Sequence, residues 1–407
     1  MQFIDKNIAV LGSGKEGRDV YDWLKTNSRG CRIKVFDKIK AVDLAGFDIV
    51  FRSPGFYRYS PMIVKAETAG AIISSATKLF FDQCPAKIIA VTGTKGKGTT
   101  TSLIYQILQN DGQSAYIAGN IGKPMLSLLP RLKAGDWVCL ELSSFQLQDL
   151  TKSPHIAVVL NITSDHLDVH KSTKEYRGAK TSILKYQHPS DHAVLNVDYP
   201  VTKKMAVLTP ARIHWFSGRR VNLDVTRIKL RGEHNRENIA AAMAAAGLAG
   251  VAKENMTEAV FKFKGLEHRL ELVRKVNAIT FYNDSFSTTP ETAIAAIKSF
   301  FEPMTIILGG SEKGSDYRRL GRVIVASKNV RNLILIGKTA GKIKAAVSGF
   351  SGAIITGLTT MKAVVTIAGK ISLPGSVVVL TPACASFDMF TDYQDRGNQF
   401  KLWVKKL

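Results

Sequence analysis

Residues Gly93 to Thr101 read GTKGKGTTT, between the apolar run Ile88-Ile89-Ala90-Val91 and the stretch Ser102-Leu-Ile-Tyr-Gln-Ile-Leu. A short buried strand, a glycine-rich turn and a helix with hydroxyls in its first turn together form a cradle for phosphate. Unpaired N–H groups and the helix dipole favour an anion at that point, with Lys97 reaching in as a point charge. The candidate contacts are Gly93, Thr94, Lys95, Gly96, Lys97, Gly98, Thr99 and Thr100. Either Thr99 or Thr100 could hold Mg²⁺, because Gly98 separates Lys97 from the first usable hydroxyl. The competing reading is a flexible Gly/Lys loop.

Other groups with chemical potential sit at strand ends. Glu141 closes DWVCLEL, where a carboxylate beside a phosphate loop can bind Mg²⁺ or orient water, unless it simply faces solvent. Asp165, His166 and Asp168 share a short loop after HIAVVLNIT, as metal ligands or as helix caps. Lys180 in isolation reads as a solvated helix lysine. Gly232 to Asn238 reads as a polar loop opening an alanine-rich helix, suited to a base or ribose or to capping. Near the N-terminus, Gly12, Gly14 and Gly17 form G-x-G-x-x-G, and Asp37 follows about 20 residues later, where a ribose-binding acid belongs. Ser53-Pro54-Gly55 offers a second tight turn able to present amides to a diphosphate.

These groups need elements to hold them. At 407 residues the chain exceeds one ordinary core. We read an α/β protein of three domains. Residues 1–84 form a truncated Rossmann-like domain for one nucleotide diphosphate rather than a redox cofactor. Residues 85–268 form a central P-loop ATPase-type domain, and residues 269–407 a C-terminal Rossmann-like domain whose loops carry Asp284, Lys313 and Ser386. A terminal amphipathic helix is expected from Tyr393. Four cysteines without CxxC spacing argue for a reducing compartment, and no apolar run approaches the ~20 residues that cross a bilayer. The expectation is a soluble cytoplasmic monomer. A net charge of +23 invites nucleic acid, but Lys and Arg are spread along the chain, and polyphosphate substrates account for the sign as well.

Taken together, GTKGKGTTT, GNIG, ELSSFQLQ, NITSDHLDVH, YRGAK, GEHNREN, GLEHRLE, NDSFST, LGGSEKGSDY and TPACASFDMF occur in an order that resembles the Mur ligases over almost the whole chain. ELSSFQL and PACASFD resemble the member that adds D-glutamate to UDP-MurNAc-L-Ala. The resemblance implies an ATP-dependent amide ligase that phosphorylates the substrate carboxylate and lets the amino-acid amine displace phosphate. It further implies that Lys97 and the loop amides hold ATP, that Thr99 and Glu141 serve a first Mg²⁺, and that His166 and a carbamylated Lys180 serve a second. Asn235, Asn238, Arg269 and Asp284 match ATP contacts, and Asn120 a contact to the muramoyl substrate. Thr288, Lys313, Ser386, Phe387 and Tyr393 match the glutamate site. Gly12, Gly14, Gly17, Asp37, Ser53, Pro54 and Gly55 would receive UDP.

Two departures stand out. Lys97-Gly98-Thr99 replaces the usual G-K-[ST]-T and is closer to folylpolyglutamate synthetases, which lack the N-terminal domain. Phe286 replaces the lysine of the family's NDSK motif, and a lysine restored there is expected to be tolerated. Outside this superfamily the competing functions are a nicotinamide-dependent oxidoreductase built on GSGKEG and a nucleic-acid-binding NTPase.

Overall fold

The computed structural model describes residues 3–37, 42–162, 172–312 and 314–407. The described strands form three sheets. The first contains β1 (Asn7–Leu11), β2 (Arg32–Phe36), β3 (Ile49–Arg52) and β4 (Ile72–Ser74) in the order β2-β1-β3-β4. The second contains β5 (Lys87–Thr92), β6 (Ala115–Gly119), β7 (Trp137–Glu141), β8 (Ile156–Val159), β9 (His192–Asn196) and β10 (Arg212–Phe216) in the order β10-β9-β8-β5-β7-β6. Both are parallel throughout.

The third sheet contains β11 (Glu271–Val276), β12 (Ile279–Asn283), β13 (Met304–Gly309), β14 (Val330–Ile336), β15 (Ala353–Ile355) and β16 (Val377–Leu380). Its order is β11-β12-β16-β13-β14-β15, and only the β11–β12 pair is antiparallel. Strand β16, last in sequence, thus lies between β12 and β13. The loops leaving these three strands become neighbours at one end of the sheet, where ligands bind in open α/β folds.

The inner strands read as unbroken apolar runs because parallel strands in such folds are covered on both faces. Ile88 to Val91 of β5 are buried, as are Ile306 to Leu308 of β13 and Val377 to Leu380 of β16. Strand β11 is an edge strand of mixed burial, and its ELVRKV exposes Leu272, Arg274 and Lys275.

Two compact units result. The first comprises Met1–Leu223 with Arg236–Val260, and the second Asp224–Asn235 with Phe261–Leu407. In the second unit, the Asp224–Asn235 stretch is held by an Arg231–Glu302 ion pair at 3.0 Å and by Arg227 lying 4.0 Å over the Phe261 ring.

The first unit contains both of the first two sheets, joined by buried polar contacts. Arg52, at the end of β3, pairs with Asp149 at 2.6 Å, both side chains being 1% exposed, and Arg58 reaches the other Asp149 oxygen at 2.9 Å. Arg52 also donates to the carbonyls of Phe56 and Phe145. Removing one member of such a pair leaves a buried charge uncompensated, which is more destabilising than the intact pair is stabilising. Asp19 accepts hydrogen bonds from the amides of Leu126 and Ser127 in the same unit.

Candidate active site

The phosphate loop follows β5, and the helix Lys97–Asn110 starts immediately after it. Gly96 precedes that helix with φ 88°, in the left-handed region. Lys97 folds back and its Nζ donates to the carbonyls of Gly93 and Thr94, each at 3.1 Å. Asn161, two residues beyond the end of β8, grips the loop from the side. Its Oδ1 accepts from the Lys95 amide at 3.0 Å, and its carbonyl accepts from the Thr94 amide at 2.7 Å. Glu237 backs Asn161 and also meets Tyr199 and Asn196; burial raises its carboxyl pKa, while those hydrogen bonds oppose the rise.

Asn238 stands against the other side of the loop. Thr100 Oγ1 donates to its Oδ1 at 3.3 Å, and a Cβ added to Gly96 would overlap that same oxygen. We expect Gly96→Ala to weaken ATP binding tenfold or more, since a left-handed non-glycine residue alone costs roughly 1–2 kcal/mol and Asn238 must also be displaced. Steady-state KM for ATP measures this. An unchanged value would mean that the loop conformation does not set nucleotide affinity.

Glu141 ends β7, in register with Val91 of β5, and is buried. Its Oε1 accepts from Asn120 Nδ2 at 3.0 Å, and the Asn120 amide bonds its carbonyl at 2.9 Å. Glu141 and Asn120, matched in sequence to different ligands, are thus hydrogen-bonded to each other. Lys180, on the helix Thr173–Lys185, is not the solvated lysine that its local sequence suggests. It is 1% exposed, and its Nζ donates to Gly93 O at 3.0 Å and Thr92 Oγ1 at 3.2 Å. The Tyr176 ring lies 4.8 Å from that nitrogen, and the Tyr176 hydroxyl bonds Thr94 Oγ1 at 3.0 Å. His166, with Asp165 and Asp168, lies outside the described residues. Among the described residues no cluster of three His, Cys, Asp or Glu side chains is arranged to hold a metal.

At the first sheet, the Gly12 turn follows β1 and leads into the helix Lys15–Asn27. Gly12 has φ 103°, and a Cβ on Gly17 would overlap the Gly12 carbonyl oxygen, so the helix packs directly on the turn. Gly14 caps the helix with no side-chain bond, Ser53 lies beside Gly12, and its amide bonds Leu11 O at 3.0 Å. Pro54 and half-buried Ser53 lead to exposed Gly55, and exposed Asp37 follows β2. Gln146 of ELSSFQL ties this region to the second sheet. Its Oε1 accepts from the Ser143 amide at 2.9 Å, and its Nε2 donates to Glu16 at 2.7 Å. Burial raises the Glu16 carboxyl to about 6.

In the second unit the loops after β12 and β16 are laced together. Thr381 Oγ1 donates to Asp284 Oδ2 at 3.1 Å, the Asp284 amide bonds Leu380 O at 2.8 Å, and the Ala383 amide bonds Ser287 O at 2.9 Å. Arg396, from the helix Tyr393–Lys405, is fully buried. Its Nε donates to Ser285 Oγ at 2.9 Å, Nη2 to Ser285 O at 2.8 Å and Nη1 to Cys384 O at 3.1 Å. Burial lowers its pKa to about 10. Ser386 is buried, Thr288 half-buried, and Phe387 66% exposed. The Tyr393 carbonyl accepts from Ser285 Oγ at 2.7 Å. Lys313 lies outside the described residues. Sequence reading missed Arg396, although an arginine four residues before Phe400 and eight before Val404 on one helix face is a readable signal.

The loop expected at Gly232–Asn238 is shorter than anticipated. The helix His234–Leu248 begins within it, so Asn235 and Asn238 occupy its first turns, and Asn235 Nδ2 donates to Arg231 O at 2.7 Å.

Burial raises the Asp284 carboxyl to about 7, against hydrogen bonds from Leu270 and Thr381 and the charge of Arg269, which lower it. An acid with a raised folded pKa contributes stability that is complete below its ordinary value near 4 and lost as pH climbs towards 7, by up to roughly 4 kcal/mol. We therefore expect the ligand-free protein to melt at a lower temperature at pH 8 than at pH 5. Asp284→Asn should flatten that slope, and identical slopes in the two proteins would exclude Asp284 as its source.

Sheets of this kind, with a glycine-rich loop after β5, recur in solved structures. UDP-N-acetylmuramate-alanine ligase MurC from Thermotoga maritima superposes with a TM-score of 0.63 at 16% identity, covering 98% of this chain and 99% of that one. MurF ligase from the same organism, in complex with ADP, gives 0.62 at 16% identity over 98% and 94% of the two chains. The models for the Mur ligase middle domain and for the Mur ligase glutamate ligase domain match residues 91–246 and 268–384. The class is thus the Mur ligases.

Within it, the UDP-N-acetylmuramoylalanine--D-glutamate ligase of Acetivibrio thermocellus is 38% identical over 99% of this chain and 97% of its own length. The enzyme of that name from Symbiobacterium thermophilum is 40% identical over 89% and 85%. The chain belongs to this family of D-glutamate-adding Mur ligases.

Proposed function

We propose that the chain is an ATP-dependent ligase joining D-glutamate to UDP-N-acetylmuramoyl-L-alanine, a step in building peptidoglycan precursors. The observation that carries this reading is 38% identity over nearly the full length to an enzyme of that name, together with a phosphate loop braced by Asn161, Asn238 and Lys180. In the reaction a carboxylate oxygen of the substrate attacks the γ-phosphorus of ATP and ADP leaves. The amino-acid amine then attacks the acyl carbon, and phosphate departs from the tetrahedral intermediate as the amide forms.

The chain's part is to hold anions that would otherwise repel one another. Lys97 exchanges the Gly93 and Thr94 carbonyls for phosphate oxygens, while the amides of the loop and first helical turn receive the remaining charge. Thr99 and Glu141 offer a hydroxyl and a carboxylate, the oxygen donors that suit Mg²⁺, and Thr100 is already engaged by Asn238. Bound there, Mg²⁺ supplies charge neutralisation for the polyphosphate. Asn120 keeps the Glu141 carboxylate turned to that task.

A second Mg²⁺ fits His166 and Lys180 if Lys180 is carbamylated, because an ammonium repels a cation whereas a carbamate presents two oxygens. The Lys180 Nζ is buried behind the loop, beside Gly93 O and Thr92 Oγ1, where the carbamate would stand. Asn235, Asn238, Arg269 and Asp284 complete the ATP site. Gly12, Gly14, Gly17, Asp37, Ser53, Pro54, Gly55 and Asn120 take the UDP substrate. Thr288, Lys313, Ser386, Phe387 and Tyr393 take glutamate.

This reading divides the chain into domains at 1–84, 85–268 and 269–407, working as a monomer in the cytoplasm. No described helix is long and apolar enough to cross a membrane. The test is phosphate release from ATP with UDP-MurNAc-L-Ala against D-glutamate, L-glutamate and other amino acids. Release that requires both the UDP-sugar peptide and D-glutamate supports the proposal, and release with L-glutamate alone would move the specificity elsewhere.

A further inference from the structure

The start of the helix His234–Leu248 meets the phosphate loop through two consecutive residues. Asn238 touches the loop directly, at Thr100 and against Gly96. Glu237 acts at one remove, through Asn161, and all of these residues lie in the first unit.

Glu237 is a collecting point for donors. Asn196, at the end of β9 and fully buried, donates from Nδ2 to Oε2 at 3.2 Å, while its own Oδ1 accepts from the Asp198 amide at 2.9 Å. The Tyr199 hydroxyl donates to both carboxylate oxygens, at 3.1 and 3.3 Å. Burial and the Glu237 charge push that phenol up to about 12, so it stays a donor. The Asn161 side chain is a third hydrogen-bond partner. Gly218 closes in from behind, where an added Cβ would meet Glu237 Cγ at 2.9 Å. An ionised carboxylate only accepts, so it matches three converging donors, whereas an amide of the same shape has one acceptor and brings a donor of its own.

The Asn161 amide spans both polar groups of one loop residue. Its Oδ1 accepts from the Lys95 amide at 3.0 Å and its Nδ2 donates to Lys95 O at 3.3 Å. Turned over, the same amide would set donor against donor and acceptor against acceptor. A carboxylate beside it accepts from the nitrogen and repels the oxygen, which turns the oxygen to the Lys95 N–H.

We propose that Glu237 is a positioning residue for nucleotide binding, which locks the Asn161 amide in the orientation that fixes the phosphate loop at Lys95. The proposal rests on the reading of that loop as the ATP site. A loop fixed before the nucleotide arrives spares the binding step the cost of ordering it. Glu237 and Asn238 thus clamp the loop from one helix end, Asn238 by contact and Glu237 by setting its neighbour.

The test is the calorimetric Kd for Mg-ATP of the full-length wild type and of Glu237→Gln, Asn161→Ala, Asn161→Asp and the two double variants, with melting temperatures to confirm folding. Glu237→Gln should weaken binding on the order of tenfold, the scale for mismatching a hydrogen bond to a charged group. In the Asn161→Ala background it should add nothing. In the Asn161→Asp background its sign should reverse: there two carboxylates oppose each other, and Glu237→Gln supplies the missing donor and tightens binding. KM for the amino acid should not move.

Three outcomes overturn the proposal: an unchanged Kd in Glu237→Gln, an equal loss with and without the Asn161 side chain, or no gain in the Asn161→Asp background. If Asn161→Ala fails to fold, the Asn161→Asp pair decides. A wild type that binds Mg-ATP but releases no phosphate with its substrates counts against the ligase reading alone. A wild type that binds no Mg-ATP overturns both.

Discussion

Lys97→Ala is expected to lower kcat by at least a thousandfold, with the fold intact. The Lys97 ammonium donates to the carbonyls of Gly93 and Thr94 in its own loop. What the substitution removes is a flexible cation from a cradle of neutral amides. Point-charge stabilisation of a transferring phosphoryl group is worth several kcal/mol. Lys97→Arg should recover little, because the larger planar group cannot replace a compact ammonium inside so tight a turn. Phosphate release measures the loss, and circular dichroism checks the fold. Retention of most activity would transfer the role to exposed Lys95.

Lys180→Ala should fall by at least about a hundredfold, the scale for removing one group that stabilises developing charge. Two roles are separable there. As an ammonium, Lys180 braces Gly93 O and Thr92 Oγ1 behind the phosphate loop. As a carbamate, it keeps one N–H for such a bond and adds two oxygens for metal. Small solutes tell these roles apart in the alanine variant. Acetate should restore part of the activity and methylammonium none. The reverse pattern would make Lys180 a cationic brace, and rescue by neither would leave it a packing role.

The sequence exposed what local pattern encodes. Strand, glycine turn and helix could be read at Gly12 and at Gly93 because a buried parallel strand is a continuous apolar run and a tight turn demands glycine. Glu141 and Gln146 were found through a motif that ends a strand. Strands β4, β6, β9, β10 and β11 went unread. Ala115–Gly119 is small and short, Arg212–Phe216 mixes charge with aromatics at an edge, and Glu271–Val276 is half-exposed.

Contacts made across the fold left no local trace. Asn161 meets Lys95 over a separation of 66 residues, and Lys180 meets Gly93 over 87, so neither partner marks the other. Phe286 looked like a missing lysine because pattern matching compares residue types at one position. Only the folded chain brings Arg269 across to its ring.

The way the chain is divided between its two units bears on its biogenesis. Asp224–Asn235 packs with Phe261–Leu407, yet the chain returns to the first unit at Arg236 before completing the second. During synthesis from the N-terminus, the first unit can close as soon as Val260 has emerged. Until Phe261 and Glu302 follow, the partners of Arg227 and Arg231 do not yet exist. A truncated product ending at Val260 therefore carries a strip with nothing to pack against, and that strip is where proteases and holdase chaperones should first engage the nascent enzyme.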